Sequence, residues 1–408
     1  MRLNRYAHIV RYNNKTIILN KCTGFWLYFP EEILSEIENF PNRTENEILN
    51  EYDEESRKII EKAFANLKQL GVLGDAENPF NLKEISIALT HRCNLNCKHC
   101  IVSAGTLKDQ EIFSTSDMKK ILDKIITLYP ESITLTGGEA LVRKDFEELV
   151  KYIRLSYQGH LSLMTNGVLI SNRNIELLVN FFDDINISID GIDEESCSLI
   201  RGKGVFDKVV NAVKLLKERN FNNITLSMVL TKNNECLVNE FYELNSKLGT
   251  EPMLRCLMLE GRAETNEKLL TETKIQEGSI PKSKKVSKFR MPACGCMGEA
   301  VQLTIDEKGN IYPCDLFTHD EFSLGNITQI ENITEWIKSI NYLKEEALKD
   351  YDPYNDVVIS KCADCPVKVF CWKCPYSLYK CSKNKIALEE HCSTYRNFLM
   401  DTIWGEEG

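Results

Sequence analysis

The spacing of apolar residues changes period along the chain, and each change predicts an element. His8-Ile9-Val10-Arg11-Tyr12, a polar Asn13-Asn14 and Thr16-Ile17-Ile18-Leu19 predict a β-hairpin. Three helical patterns follow. The last, Glu54 to Leu70, sets Ile59, Ile60, Ala63, Phe64, Leu67 and Leu70 at helical spacing, and Gly71 supplies its stop. Residues 1–80 therefore predict a small winged-helix-like domain, with Glu77-Asn78-Pro79-Phe80 as a linker. From residue 83 strands and helices alternate. Strands are expected at 85–89, 132–136, 161–165, 185–189, 224–230 and 253–259. Amphipathic helices lie between them, one through Met118, Ile121, Leu122, Ile125 and Ile126 with Asp117 in its first turn, another through Phe206, Val209, Val210, Val213 and Leu216. Six such repeats over 83–262 predict an α/β fold, a parallel sheet curved into a partial (β/α)6 barrel. In such sheets chemistry gathers at the C-terminal ends of the strands. Residues 263–292 are polar and Lys-rich, a linker or bridge, and 293–408 form a cysteine-rich domain with few long helices, held by its metal centres.

Composition narrows the function classes. A chain of 408 residues with 43 % hydrophobic and 27 % charged residues is a folded protein of two or three units, not a disordered one. Its 50 Lys and Arg against 60 Asp and Glu leave a net charge of −10, which disfavours nucleic acid as a partner. No apolar run approaches the ~18–20 residues of a membrane span, and Met1-Arg2-Leu3-Asn4-Arg5 leads into alternation without the apolar core of a secretory signal. The expected location is cytoplasmic, with no membrane partner. Against that background sixteen cysteines stand out, twelve of them in two short regions. In a reducing compartment clustered thiols hold metal more often than they form disulfides. Cys22, Cys197, Cys236 and Cys256 are isolated and read as small core residues.

After the first predicted strand comes Thr90-His91-Arg92-Cys93-Asn94-Leu95-Asn96-Cys97-Lys98-His99-Cys100, a Cys-x3-Cys-x2-Cys loop. Three thiolates this close suit three irons of a [4Fe–4S] cluster, the fourth iron staying open to a ligand. Zinc is the alternative, with His91 or His99 as fourth ligand. The loop resembles the signature of the radical SAM superfamily, which binds S-adenosyl-L-methionine at the open iron. His99 stands where relatives carry Tyr or Phe. Later strand ends resemble the same family: Gly137-Gly138-Glu139, with Ala140 in place of the usual proline, then Asn166, then Ser188 and Asp190, then Arg201. By that resemblance Gly137, Gly138, Glu139, Asn166, Ser188, Asp190 and Arg201 bind the cofactor. Glu139 would accept from its ammonium group, Ser188 and Asp190 would take the ribose hydroxyls, and Arg201 would lie near the methionine carboxylate. The implied chemistry is one-electron cleavage to a 5′-deoxyadenosyl radical that abstracts hydrogen.

The C-terminal cysteines do not divide into zinc-ribbon halves. Cys362-x2-Cys365-x5-Cys371-x2-Cys374, then Cys392, with Gly309-x4-Cys314 and Leu324-Gly325-Asn326-Ile327 upstream, resembles the SPASM domain. The resemblance implies one or two auxiliary [4Fe–4S] clusters: Cys362, Cys365, Cys371 and Cys392 for one, Cys314 and Cys374 with Cys294, Cys296 or both for the other. Cys381 has no counterpart. Relatives of this type mature ribosomally made peptides, and some carry an N-terminal module that takes the precursor's leader as an added strand. The implied partners are a precursor peptide and a flavodoxin- or ferredoxin-like electron donor, and the implied reaction is a Cys thioether crosslink. Tyr312-Pro313-Cys314-Asp315 also resembles anaerobic sulfatase-maturating enzymes, which make formylglycine and in which Asp315 would match the base. A non-catalytic iron–sulfur sensor or adaptor and a tRNA-modifying enzyme are further readings.

Overall fold

The computed structural model describes residues 2–74, 82–271, 291–297, 302–355 and 357–405. The expected linker at 77–80 and most of the 263–292 bridge lie outside them. The chain divides into two compact units, one drawn from 1–80, 281–300 and 341–408 and the other from 81–280 and 301–340.

In the first unit β1 (Ala7–Tyr12) and β2 (Lys15–Asn20) form the expected hairpin, and β3 (Trp26–Tyr28) pairs beside β2. Asn13 and Asn14 both take positive φ, the conformation that a two-residue turn between twisted strands requires. Helices α1 (Glu31–Asn39), α2 (Glu45–Leu49) and α3 (Glu54–Leu70) follow. Asp53 caps α3 by accepting from the Glu55 and Ser56 amides, and Gly71 ends it at φ +73°. Ile18, Leu34, Ile37, Ile48, Phe64 and Leu67 make the core. Of the residues expected on the buried face of α3, Ile60, Ala63, Phe64 and Leu67 are buried, whereas Ile59 is 63 % exposed.

The second unit is built on one sheet of nine strands in the order β12-β11-β10-β4-β5-β6-β7-β8-β9. Strands β4 (Glu84–Ala88), β5 (Ser132–Thr136), β6 (His160–Thr165), β7 (Asp184–Ser188), β8 (Ile224–Val229) and β9 (Glu251–Arg255) run parallel, as the six repeats require. The sixth stops at Arg255, short of the expected 259. The intervening helices are α4 (Thr115–Thr127), α5 (Phe146–Ser156), α6 (Ile175–Phe181), α7 (Glu194–Arg201), α8 (Val205–Glu218) and α9 (Val238–Leu248). Alternation along the strands sorts the two faces. Ile85, Ile87, Ile133, Leu135, Leu161, Leu163, Ile185, Ile187 and Leu226 are buried on one face, while Ser86, Thr134, Ser162, Asn186 and Ser227 form a second, polar and equally buried row.

After β9 the chain forms two short helices, α10 (Arg262–Thr265) and α11 (Glu267–Leu270), where the sequence suggested only a bridge. It then adds three strands that alternation did not reveal. β10 (Gln302–Ile305) pairs parallel with β4 from Gln302 against Glu84 to Ile305 against Ile87. β11 (Asn310–Tyr312) and β12 (Gly325–Asn326) extend the sheet antiparallel. With α12 (Ile333–Trp336) this unit is complete.

The remaining helices are α13 (Ile340–Leu348), α14 (Lys368–Cys371), α15 (Pro375–Ser382) and α16 (Lys385–Leu399); Cys371, Cys381 and Cys392 sit on the last three, and the other C-terminal cysteines lie outside these helices. The fifteen-residue α16 is longer than expected for this region. The N-terminal sheet is packed into this part of its own unit. Trp26 Nε1 donates to Met291 O at 2.8 Å and its ring meets Phe370 edge-on at 5.3 Å. Tyr12 and Tyr28 pack on Trp404, and Lys15 donates to the Trp404 and Gly405 carbonyls. Among the described residues no helix is long and apolar enough to cross a membrane.

Candidate active site

The Cys93, Cys97, Cys100 loop leaves the end of β4, and its shape is fixed by contacts from three other segments. The first comes from the end of β5, where Gly138 N donates to Thr90 O at 2.8 Å and Glu139 N to Arg92 O at 2.9 Å. A Cβ on Gly137 would lie 2.4 Å from Thr90 O, and one on Gly138 would lie 2.4 Å from Arg92 O. Both glycines are therefore required by backbone meeting backbone. The second is Glu111, which accepts from Thr90 Oγ1 at 2.6 Å and from Arg92 Nη1 at 2.7 Å. It joins the start of the loop to its far side. The third is α10. Arg262 donates from Nε to Cys97 O at 3.0 Å, from Nη1 to Ala104 O at 2.7 Å and from its amide to Cys100 O at 2.9 Å, and Asn266 reaches Lys98 O. Gly261, at φ +56°, leaves no room for a Cβ beside Ile101 O.

Each of the three sulfurs faces an N–H donor. Cys93 Sγ accepts from the Leu95 amide at 3.4 Å and lies 3.8 Å from Asn166 Nδ2; Cys97 Sγ is 3.8 Å from Arg201 Nη1; Cys100 Sγ accepts from the Ala104 amide at 3.4 Å. Burial pushes the free Cys93 thiol up to about 11 and raises Cys97 as well, so cluster binding displaces protons and the donors then stabilise the thiolates. Such a donor set suits a cluster held by three thiolates. The zinc alternative finds its histidines engaged elsewhere: His99 Nε2 is 2.5 Å from Asp190 Oδ2, and His91 Nδ1 is 3.6 Å from Glu307. Among the described residues no three His, Cys, Asp or Glu side chains converge on a single-ion site.

Of the other strand-end residues, Gly137, Gly138, Glu139, Asn166, Asp190 and Arg201 meet this loop, and Ser188 does not. Glu139 is 1 % exposed and accepts from Thr165 Oγ1 at 2.8 Å, Asn166 N at 2.7 Å and Leu141 N at 3.2 Å, joining the ends of β5 and β6. Burial raises its pKa against the pull of those donors. Asn166 turns its amide to Asn94 Oδ1 at 2.8 Å. Ser188 ends β7 and lies 3.5 Å from Ser227 Oγ. Asp190 is past the strand, at φ +57°, so strand alternation with Ser188 does not set its direction. Three protein groups do: His99, Arg201 Nε at 2.6 Å and the Val229 amide at 2.6 Å. Burial alone would lift Asp190, but Arg201 and His99 outweigh it and hold it below the usual carboxylate range.

Cys314 and Asp315 follow β11 in the same unit. Asp315 is exposed and accepts from Thr304 Oγ1. In the other unit, after burial, Cys365 and Cys392 raise the pKa of Cys362, and Cys362, Cys365, Cys392 and Cys381 raise that of Cys371, so these thiols are neighbours without converging on a single-ion site. His391 Nε2 lies 3.0 Å from Cys371 Sγ and its ring stacks on Trp372. Cys294 and Cys296 are paired at 3.7 Å between sulfurs, with Lys344 donating to Cys296 O at 2.6 Å, and Cys374 precedes α15. Cys381 is a core residue beside Trp372 and Leu378. Of the four isolated cysteines Cys197 is buried and Cys22 half-buried, but Cys236 and Cys256 are exposed, one in a short turn before α9 and the other just past β9.

Sequence reasoning missed Glu111, Arg262 and the pairing of His99 with Asp190. The signal for Arg262 was a glycine followed by an arginine just beyond the last barrel strand, hidden in a stretch whose polarity suggested a loop.

Comparison with known proteins places this geometry. Residues 87–244 match the radical SAM superfamily and 294–366 the SPASM iron–sulfur cluster-binding domain. The mycofactocin maturase MftC of Mycolicibacterium smegmatis is 30 % identical over 259 residues, 59 % of this chain and 66 % of that protein, so the chain spans just under two thirds of that relative. Among solved structures, Streptococcus suis SuiB bound to S-adenosylmethionine superposes with a TM-score of 0.54 at 16 % identity, over 90 % of this chain and 94 % of that one. SuiB bound to its precursor peptide SuiA gives 0.54 at 16 % identity, over 93 % and 96 %. The anSMEcpe structure with bound AdoMet gives 0.52 at 18 % identity, over 78 % and 98 %. These structures share the fold.

Proposed function

We propose, taking as premise that this chain joins a radical SAM domain to a SPASM domain, that it matures a ribosomally made precursor peptide by closing a thioether from a cysteine to a carbon of another residue. The observation that carries this reading is the N-terminal sheet and helices built into the same unit as the C-terminal cysteines. Such a sheet offers edge-strand donors and acceptors to a leader peptide. The names of the relatives agree: MftC is a maturase, and SuiB was crystallised with a precursor peptide.

Cys93, Cys97 and Cys100 would hold the [4Fe–4S] cluster, and the one or two auxiliary clusters would take Cys362, Cys365, Cys371 and Cys392 for one, and Cys314 and Cys374 with Cys294, Cys296 or both for the other. When bound, the cluster and S-adenosyl-L-methionine supply a carbon radical able to take hydrogen from an unactivated C–H. The protein's part is position. Arg262, Glu111 and the two glycines hold the loop, and Glu139 locks the β5 and β6 ends beside it. A flavodoxin- or ferredoxin-like protein would deliver the electron, and the setting would be the cytoplasm.

The test is anaerobic incubation with short cysteine-containing peptides encoded nearby, followed by tandem mass spectrometry. Thioether closure retains sulfur and lowers the mass by two hydrogens. The second reading, formylglycine formation, is favoured by Asp315 standing exposed beside Cys314, and it predicts loss of the sulfur from a substrate cysteine. Reduced enzyme that leaves S-adenosyl-L-methionine intact would instead support the non-catalytic reading.

A further inference from the structure

Arg201, Asp190 and His99 form a buried charged chain that ends on a cluster-ligand sulfur. Asp190 is 0 % exposed: Oδ1 accepts from the Val229 amide, and Oδ2 lies 2.5 Å from His99 Nε2 and 2.6 Å from Arg201 Nε, the last an ion-pair contact and not an aligned hydrogen bond. Arg201, itself buried, turns Nη1 toward Cys97 Sγ at 3.8 Å. The same loop is tied to the end of α7 by Lys98 N donating to Ile200 O at 3.0 Å, so the guanidinium and the sulfur are held in register by backbone as well. A methionine carboxylate near Arg201 accounts for neither the sulfur contact nor the histidine.

We propose that His99, acting through Asp190, is a positioning residue that fixes the Arg201 guanidinium against Cys97 and thereby raises the reduction potential of the cluster held by Cys93, Cys97 and Cys100. Reduction adds negative charge to the cluster and its sulfurs. A cationic N–H donor at one of them stabilises the reduced form more than the oxidised one. Alone, a buried guanidinium would be expensive and free to rotate to any acceptor. Asp190 neutralises it from the Nε side and leaves Nη1 facing sulfur, and His99 prevents the carboxylate from turning away. An aromatic hydrocarbon at position 99 fills the space but offers Asp190 no donor. The inference needs the cluster but no peptide, so it stands apart from the maturase reading.

The experiment is potentiometric titration of the anaerobically reconstituted full-length protein, without peptide, followed by electron paramagnetic resonance. The relevant signal is the one that changes when S-adenosyl-L-methionine is added. Arg201→Gln should lower the reduced-to-oxidised ratio about tenfold at a fixed poise, a shift of about 59 mV for one electron. His99→Phe should move it the same way by less, and His99→Gln, which restores a donor to Asp190, should return it toward the parent value. A purely structural role would lower iron content yet leave the potential of the clusters that do assemble unchanged, and that result in both Arg201→Gln and His99→Phe overturns the proposal. If Arg201→Gln does not assemble a cluster, the two His99 variants decide: equal potentials in His99→Phe and the parent overturn it.

Discussion

Gly138 shows how little latitude single residues have at this site. A methyl group there would stand 2.4 Å from Arg92 O, inside the loop that carries the cysteines. Gly138→Ala should destabilise the protein by ~1–3 kcal/mol and lower its iron content, measured by thermal unfolding and metal analysis of reconstituted protein. Cys93→Ala should remove one cluster's iron and abolish 5′-deoxyadenosine release while leaving the auxiliary centres, read by iron stoichiometry and chromatography. At this scale the sequence was informative where a residue type has few uses. Cysteine spacing, Gly137-Gly138 and the Gly71 helix stop could be read directly. It was silent where meaning comes from a distant partner. Nothing near position 190 says that its carboxylate meets His99, because that contact joins residues 91 positions apart through the fold.

Among elements, the short α10 has influence out of proportion to its length. Its four residues reach the carbonyls of Cys97, Cys100 and Ala104 through Arg262 alone. Arg262→Ala leaves Cys97 O and Ala104 O without those donors and should cost ~1–3 kcal/mol. The loop should then release iron to a chelator several-fold faster, and absorbance decay after chelator addition measures it. The long periodic elements were legible: α3, α4, α8 and the six parallel strands fall within a few residues of their expected places. β10, β11 and β12, of four, three and two residues, were not. So few positions carry too little alternation to separate a strand from a turn, and only the pairing of β10 involves the edge of β4.

For the molecule as a whole, linear order is a poor guide to what packs with what. The N-terminal hairpin and helices have a core of their own, yet Trp26, Tyr12 and Tyr28 face aromatic partners from residues 370 and 404. Deleting residues 2–74 should therefore do more than remove the proposed leader-docking sheet. It should expose Phe370 and Trp404 and lower auxiliary iron along with peptide turnover, seen by metal analysis and by binding of a hydrophobic dye. A substitution confined to the outer edge of the N-terminal sheet should lower turnover and spare the iron.

The pairing of β10 with β4 also sets an order of events during synthesis. β4 leads directly into the cysteine loop, but its second neighbour is made more than two hundred residues later, at 302–305. Until then the foundation of the loop is an open sheet margin, of the kind that recruits other chains. A nascent protein halted at residue 300 should aggregate rather than load iron, as sedimentation of the truncated product would show. Metal insertion thus belongs after release of β10, when β4 has a neighbour on both sides.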